Sequence, residues 1–544
     1  MLGSQQLVKA GSCCTLCPAG CELRQVKVGP DSWRIEPAET GSAGLCPRGS
    51  TLGELLAHRK RIFWPAKRQE GRLRQVGMDA ALAALIEAAG DRGIIVFFDA
   101  NLPCEQLARA DACCRAWRGA RLCLVMEPAD RQMLLGAEAS GADYLADDAL
   151  ADCDGFVVIG DAFAANPRCS RAVFERRARE PRTPIVAIDA ACGTAAKFAT
   201  HVVQVGAGME FQALAAVAAA AGVDVELPGA TPAGEMPSAQ AAGQAVARCE
   251  RLGVLLAAEY GRSAAWRQIG YLAGRLATAR GGGLACQTVG ANVLAALRCS
   301  ANFETINLAD ALADTSSVRV AVGCDVVGML GGAGGEFLAA AAALPNQTTA
   351  AAEIVLPLAL PVEVGGTVLF SGMQEAEVEP VVAPPAGVPT PAELIGRMAP
   401  AAGPSPPGSP SAVCLERLAA EVPGDAASSG PAAAPVLLFA RQAAHAGSGA
   451  LTGHGSWQQA ARGPLDLRVS AADAEAMGVS NLAPARVAAE GRSVPVRIRV
   501  CQELADGIVV LPGGMPEARA LAPCRIDSAT RQVVASPVTA AIET

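Results

Sequence analysis

The stretch GIIVFFDANLPCEQLARADACCRAWRGARLCLVM, residues 93–126, decides the fold. Residues 93–100 form an apolar run that ends at Asp99. Residues 120–126 form a second run, and LPCEQLARADACCRAW between them reads as a helix. Apolar strands without alternation are buried on both faces, as in parallel sheets covered by helices. The same strand–helix alternation recurs along the chain. GFVVIGD lies within 153–162, SRAVFERRARE follows as a helix, and PIVAIDA (184–190) and HVVQV (201–205) are strands. RLGVLLAAEYG, a helix at 264–278, GGGLACQTVGAN, VRVAVGCD and AAEIVLPLAL continue the pattern, and MDAALAALIEAAG (78–90) reads as an amphipathic helix. Two doubly wound α/β domains in series are expected, with ligands beyond the carboxyl ends of their strands.

Upstream lies a small cysteine-bearing module. Cys14, Cys17, Cys21 and Cys46 are spaced C-x2-C-x3-C-x24-C in CTLCPAGCELRQV…AGLCPRGS. Four Cys thiolates are the usual ligand set of a [4Fe–4S] cluster. Structural zinc more often shows two C-x2-4-C knuckles, and only one is present here. The x2 spacing selects Cys14 over the adjacent Cys13. Downstream, residues 377–435 are rich in Pro, Ala, Gly and Ser, as in a linker or crossing segment. Beyond it, DLRVS, ARVAAEG, VPVRIRV, GIVVLP and CRIDSAT are short, turn-punctuated β runs that suggest a small barrel.

The fold class expected is therefore α/β, with an N-terminal iron–sulfur module, two doubly wound α/β domains and a C-terminal β-barrel. The boundaries read as 1–66 for the module, 67–150 plus 226–385 for the first α/β domain, and 151–225 for the second. The linker then spans 386–435 and the barrel 436–544.

Composition narrows the function. A net charge of −8 argues against nucleic acid as the main partner, since phosphate binding needs concentrated Lys and Arg. One basic stretch, HRKRIFWPAKRQEGRLR (58–74), reads as a solvated or inter-domain face. The chain has 19 cysteines, most without ligand spacing, which suits a reducing compartment. The N-terminal residues show neither an apolar signal core nor twin arginines, and no apolar run reaches the length of a membrane span. A cytoplasmic protein is expected. Strand ends offer Asp189 and Asn166, which read equally well as caps and as ligand contacts. No G-x-G-x-x-G is present.

The order of parts resembles the molybdopterin oxidoreductase superfamily, which contains formate dehydrogenases, nitrate reductases and an iron–sulfur subunit of NADH dehydrogenase (complex I). Cys46-Pro47-Arg48-Gly49-Ser50 resembles the family's C-[DV]-K-G-R segment after its [4Fe–4S] ligands. RIFWPAKRQEGRLRQVGMDAALAALIEAA (61–89), VVIGDAFAANP (157–167), IVAIDAACGTAAKFATHVVQVGAGMEFQAL (185–214) and AAEIVLPLALPVEVGGT (351–367) resemble successive family segments, and the tail resembles the barrel that caps the pterin. The resemblance implies an electron-transfer role for Arg48 and cofactor contacts at Gly160, Asn166, Asp189, Gly208 and Glu210.

The departures are as informative. Arg48 replaces a lysine common in catalytic members, and Asp189-Ala190-Ala191 replaces D-P-R. Gly208-Met209-Glu210 replaces G-T-D, and Leu369-Phe370-Ser371-Gly372-Met373 loses polar side chains. Cys123 and Asp130 are the candidate metal ligands in 121–133, neither in a family context. None of His58, His201, His445 and His454 is placed for that role. Three functions follow. The first is an iron–sulfur electron-transfer subunit with a degenerate pterin site, close in character to the NADH dehydrogenase member of the family but without its initial ferredoxin-like domain. The second is a catalytic Mo/W subunit resembling formate dehydrogenase, and the third a vestigial scaffold. The first is the expectation. It predicts a [4Fe–4S] cluster, no Mo, W or molybdopterin, and ferredoxin-like, flavin or NADH-oxidising partner subunits. Leu369, Phe370 and Met373 are expected to fill the cofactor cleft.

Overall fold

The computed structural model describes residues 8–27, 33–38, 44–117, 119–223, 236–332, 338–399, 435–461, 463–527 and 531–543. The expected linker falls largely on 401–434, outside the described residues. Its described part includes a helix, Pro391–Met398, started by a Thr390/Glu393 capping box.

The cysteine module is a three-stranded antiparallel sheet, Val8–Cys13, Glu22–Lys27 and Trp33–Pro37. Its core includes Leu16, Leu23, Ile35, Leu52 and Leu55, and is completed by Leu344 and Leu360 from the first α/β domain. So small a sheet cannot bury enough surface alone, and it borrows apolar side chains from its neighbour.

The 93–126 reading holds. Ile94–Asp99 and Ala120–Val125 are parallel strands joined by the helix Cys104–Ala116. They sit at one side of a seven-stranded sheet that continues through Val318–Val322, Ala339–Ala342 and Ile354–Pro357. The far edge is an antiparallel hairpin, Ala66–Gln69 and Arg72–Gln75. Ala339–Ala342 carries no β-forming sequence signal. Four alanines become a strand because Val318–Val322 and Ile354–Pro357 flank them and all four are buried.

The second sheet corrects the expected boundaries. Its order is His201–Gln204, Ile185–Asp189, Gly155–Ile159, Leu252–Leu256 and Gly283–Cys286, all parallel. The last two strands fall in 226–385, the segment expected to belong to the first domain. They join the second because Leu252–Leu256 pairs with Gly155–Ile159 in continuous register. The second domain's sheet is thus built from one unbroken part of the chain, inserted between the two halves of the first.

The two domains meet through a helix pair. Pro128–Ser140 follows the first sheet's edge strand, and Trp266–Ala279 lies in the second domain. Contact is backbone to backbone. A Cβ on Gly136 would lie 1.9 Å from the Arg267 carbonyl oxygen, and one on Gly270 would lie 2.2 Å from that of Met133.

The C-terminal sheet has seven strands in the order Val538–Thr539, Val436–Ala440, Ile508–Pro512, Asp466–Ser470, Arg492–Cys501, Pro484–Ala489, Ala541–Glu543. The two outermost strands are neighbours in sequence. The stretch 538–543 therefore pairs with both ends of the sheet and nearly closes it, as expected of a barrel.

The glycine contacts give a first prediction. Gly270→Ala should lower unfolding stability by about 1–3 kcal/mol, the typical cost of overpacking. An unchanged midpoint in a denaturant titration would show that the helices separate freely.

Candidate functional site

The first element of the site is the cysteine loop. Glu22–Lys27 pairs back on Val8–Cys13, and the Cys14 amide donates to the Cys21 carbonyl at 2.8 Å, so the intervening residues are held in a closed loop. Gly20, at φ +57°, closes it against Phe370; a Cβ there would lie 2.7 Å from the Phe370 ring. Cys46 caps the short helix Pro47–Ser50. Cys14 and Cys17 are buried, and Cys21 and Cys46 half-buried. Burial pushes the Cys14 thiol well up and Cys21 to about 12, and each is raised further by charge on other thiols of the four. Burial also raises Cys17. Cys46 goes the other way. Burial opposes its ionisation, but the Arg48 guanidinium and the Gly49 and Arg48 amides outweigh that and hold it below the ordinary thiol range. Cys13 stands apart, packed near Phe370 and Val378. Among the described residues, no three His, Cys, Asp or Glu side chains converge as they would around a single metal ion.

Two cations face this loop. Arg48 is 3% exposed and interacts with Cys17 and Cys46, and its Nη2 donates to the Ala165 carbonyl at 2.5 Å. Arg168 donates to the Ala19 carbonyl at 3.2 Å and lowers Cys21 electrostatically. Arg168 escaped the sequence reading. Its signal was its place in the first turn of the helix Pro167–Arg179 after Asn166.

Beyond Arg48 lie the carboxyl ends of the strands, and here the expected cofactor contacts meet other groups. Asn166 is fully buried. Its Oδ1 caps the Pro167–Arg179 helix, and its Nδ2 donates to Asp147 and Gln287, both at 2.9 Å. Asp189 accepts from the Ala191 amide at 2.8 Å and pairs with Arg262. Glu210 accepts from Arg262 Nε at 3.2 Å, and Glu259 takes the same guanidinium's Nη1. Arg262 and these three carboxylates are all buried. Gly160, at φ +70°, sits where a Cβ would lie 2.1 Å from the Ala257 carbonyl, and Gly208 turns the chain at φ +76°. The sequence pointed to the acidic strand ends but not to the arginine between them. Arg262 follows an apolar strand and its polar turn, EYGR, which is the available signal.

The barrel closes the cleft with two more arginines. Arg441, just after Val436–Ala440, donates to the Ala258 carbonyl at 2.6 Å and the Gln287 carbonyl at 3.1 Å, and pairs with Asp130 at 3.4 Å. Arg519 pairs with Glu127 at 2.8 Å, donates to the Met329 carbonyl at 3.1 Å, and lies 4.4 Å from the centre of the Tyr260 ring. A cavity of about 30 Å³ remains, lined by Arg48, Glu127, Glu259, Arg441, His445 and Arg519 among others. A single water needs at least about 10–15 Å³. A second cavity of about 190 Å³ opens at the strand ends of the first sheet, with Asp99, Asn101, Asp325 and Asn346 in its wall.

The two candidate metal ligands separate. Cys123 is fully buried in the apolar layer with Ile95, Phe97 and Val125, away from the cleft. Asp130 reaches the cleft but is taken by Arg441 and by the Val289 amide at 2.6 Å. Leu369, Phe370 and Met373 do not line the cavity beneath the barrel. Leu369 packs on Cys104 and Ala295, and Phe370 lies against the cysteine loop, because both belong to the hairpin Gly366–Phe370/Gln374–Val378. Arginines and carboxylates line that cavity instead.

The carboxylates around Arg262 predict a pH dependence. Burial pushes Glu210 and Glu259 each up to about 8. The folded chain therefore keeps protons that the unfolded chain releases above about 4.3. Folding stability should fall as pH rises from that value to about 8. Glu259→Gln should flatten the decline in thermal unfolding measured across the interval; an equally steep decline would place the protons elsewhere.

No protein-family model matches the sequence, and no curated protein matches it. Among the described residues, no helix is long and apolar enough to cross a membrane. In structure the chain is similar to acetylene hydratase from Pelobacter acetylenicus, with a TM-score of 0.68 at 10% identity over 98% of this chain and 100% of that one. The likeness shows the fold, which this chain shares with that protein over nearly its whole length.

Proposed function

We propose that this chain is an iron–sulfur electron-transfer subunit that keeps the molybdopterin-enzyme fold and has closed the cofactor cleft with its own side chains. The carrying observation is the pair of barrel arginines, Arg441 and Arg519, pinned to Asp130 and Glu127 with about 30 Å³ left between them and Glu259.

The donor set of the loop fits a [4Fe–4S] cluster. Cys14, Cys17, Cys21 and Cys46 would hold it, and it would supply one-electron transfer. Cys14, Cys17 and Cys21 are each raised by the charge of other thiols of the four, so the set lies close together. Arg48 contributes a fixed buried cation at the loop. Arg168 adds a second and fixes the loop backbone through the Ala19 carbonyl.

The residues of the cleft do not fit a pterin dinucleotide. Such a cofactor needs hydrogen-bond partners for its phosphates and ring amides. At Asp189, Glu210 and Asp130 those partners are engaged by Arg262, Arg441 and backbone amides. Displacing Arg262 would leave three buried carboxyl groups without their shared donor, at about 1–3 kcal/mol each. A catalytic Mo or W subunit is the second reading, and the 190 Å³ cavity beside the cleft is what favours it.

Metal analysis separates the two readings. Purified protein should carry about four iron atoms per chain. It should carry no Mo or W, and an oxidised extract should show no pterin fluorescence. Cys17→Ser should lose or convert the cluster. Stoichiometric pterin with Mo or W would overturn the proposal and make Asp130 the first ligand to examine.

Arg48 provides a further test. A buried cation stabilises the more negative, reduced state of a neighbouring cluster and raises its potential. Arg48→Ala should therefore show a lower midpoint potential in a redox titration followed by electron paramagnetic resonance. An unchanged potential would remove Arg48 from the electron path.

A further inference from the structure

Outside the cysteine loop, several of the chain's thiols are made inert by burial. It pushes Cys114 and Cys123 each up to about 12, so neither forms a thiolate at neutral pH. Cys104 and Cys299 differ, because they touch each other. A hydrogen bond joins the two side chains, although the residues lie far apart in sequence.

The fold builds this contact at a domain junction. Cys104 is the first residue of the helix Cys104–Ala116, which follows the strand Ile94–Asp99 of the first domain. Cys299 is the last residue of the helix Val293–Cys299. That helix lies on the return segment, which leads from Gly283–Cys286 of the second sheet back to Val318–Val322 of the first. Asn292, just before the second helix, fixes the meeting. Its Nδ2 donates to the Leu102 carbonyl at 2.6 Å and reaches Cys104 Sγ at 3.8 Å, and its Oδ1 accepts from the Leu369 amide at 2.9 Å. Ala295 and Leu369 pack on Cys104. Cys104 is 2% exposed and Cys299 5%, which admits a reagent little larger than water and excludes the thiol of another protein.

The hydrogen bond sets the chemistry of the pair. It keeps the proton on Cys104, pushing that thiol well up. It holds Cys299 below the ordinary thiol range, against burial and the nearby carboxylates Glu375 and Glu105. Cys299 is therefore the sulfur with thiolate character, and a second sulfur stands in contact with it. An oxidised thiol so placed is resolved as a disulfide.

We propose that Cys104 and Cys299 are a redox-active dithiol, which closes into a disulfide across the domain junction when a small peroxide enters. The inference goes beyond the electron-transfer reading and does not need the cluster. The Cys299 thiolate attacks one oxygen of hydrogen peroxide and the O–O bond breaks. Cys299 becomes a sulfenic acid, and the other oxygen leaves as hydroxide and takes up a proton to give water. Cys104 sulfur then attacks Cys299 sulfur, the S–O bond breaks, and the hydroxyl departs with the Cys104 proton as a second water. Two thiols lose two electrons, one peroxide gains them, and the products are one disulfide and two waters. A bond between thiols that start reduced is of the transient, redox-sensing kind.

The disulfide would tie the return segment to the first domain beside the cysteine loop. The Ala291 amide and Asn101 Nδ2 both donate to the Thr15 carbonyl at 3.0 Å, and Asn101 Oδ1 accepts from the Asn292 amide at 3.1 Å. Thr15 lies between Cys14 and Cys17.

Peptide mapping by mass spectrometry tests this on the full chain. Purified protein is exposed to hydrogen peroxide, its remaining thiols are blocked with iodoacetamide, and it is digested without reductant. The expected product is a pair of peptides linked through Cys104 and Cys299 that separates on treatment with dithiothreitol. Cys104→Ser should leave Cys299 as a sulfenic acid that dimedone captures. Hydrogen exchange over the helix Val293–Cys299 should slow when the bond forms in wild type, and Cys299→Ser should show no such slowing. Cys104 and Cys299 both blocked by iodoacetamide while Cys114 or Cys123 is oxidised would overturn the proposal. So would Cys299 linked to a different cysteine. A bond that leaves exchange unchanged would overturn the tie between the return segment and the first domain. The mapping is read on wild type, so it decides the matter even where a variant does not fold. Iron measured on the same preparations bears on the electron-transfer reading alone.

Discussion

The arrangement of Arg262, Arg441 and Arg519 at the carboxyl ends of the strands is the constraint on which the rest of the structure depends. A carboxyl group taken out of water without a hydrogen-bond partner is costly, and three lie around Arg262 alone. Each arginine ties parts that are distant in sequence. Arg262 joins two strand ends of the second sheet to the helix Glu210–Ala220. Arg441 ties the barrel to both α/β domains through Ala258 and Asp130, and Arg519 ties it to Glu127 and Met329 of the first. Guanidinium groups suit this because their several donors lie in a rigid plane and stay charged when buried. The arginine contacts at the strand ends and the placement of the barrel are thus one physical fact.

The cysteine module is held by different means. Its apolar core is shared with Leu344 and Leu360, and its loop is pressed between Phe370 on one side and Arg48 and Arg168 on the other. The two cations come from different parts of the chain, one beside the fourth cysteine and one from the second α/β domain. The loop's electrostatic environment is therefore set at the junction of the module with both domains.

Much of this was legible in the sequence. The runs at 94–99, 120–125, 155–159 and 185–189 are strands because they are largely apolar, and runs so short between turn signals suit strands of a covered sheet. The cysteine spacing located the loop, and short β runs located the barrel. What escaped depended on partners far along the chain. Four alanines at 339–342 form a strand only through their neighbours. Leu252–Leu256 could have belonged to either sheet until its register with Gly155–Ile159 decided it. At the site, acidic strand ends were readable as ligand contacts or caps. The side chains that occupy them arrive from other strands and from the barrel, and no local pattern marks their approach. The surroundings of Leu369, Phe370 and Met373 escaped for the same reason: hydrophobicity showed that they pack inward but not against what.

The insertion of the second domain within the first has a consequence for how the chain acquires its structure. Ile94–Asp99 is an internal strand, one in from the sheet's edge, yet its partner Val318–Val322 emerges only after the entire inserted domain has been made. Pairings so distant in sequence carry a large loop-closure cost and form late. During synthesis the second domain can complete its sheet from one continuous segment, while the apolar strands of the first wait with an open edge. Such edges invite association between chains, so the chain's productive maturation should depend on how fast synthesis proceeds from residue 126 to residue 318 and on holdase chaperones that cover the waiting strands meanwhile.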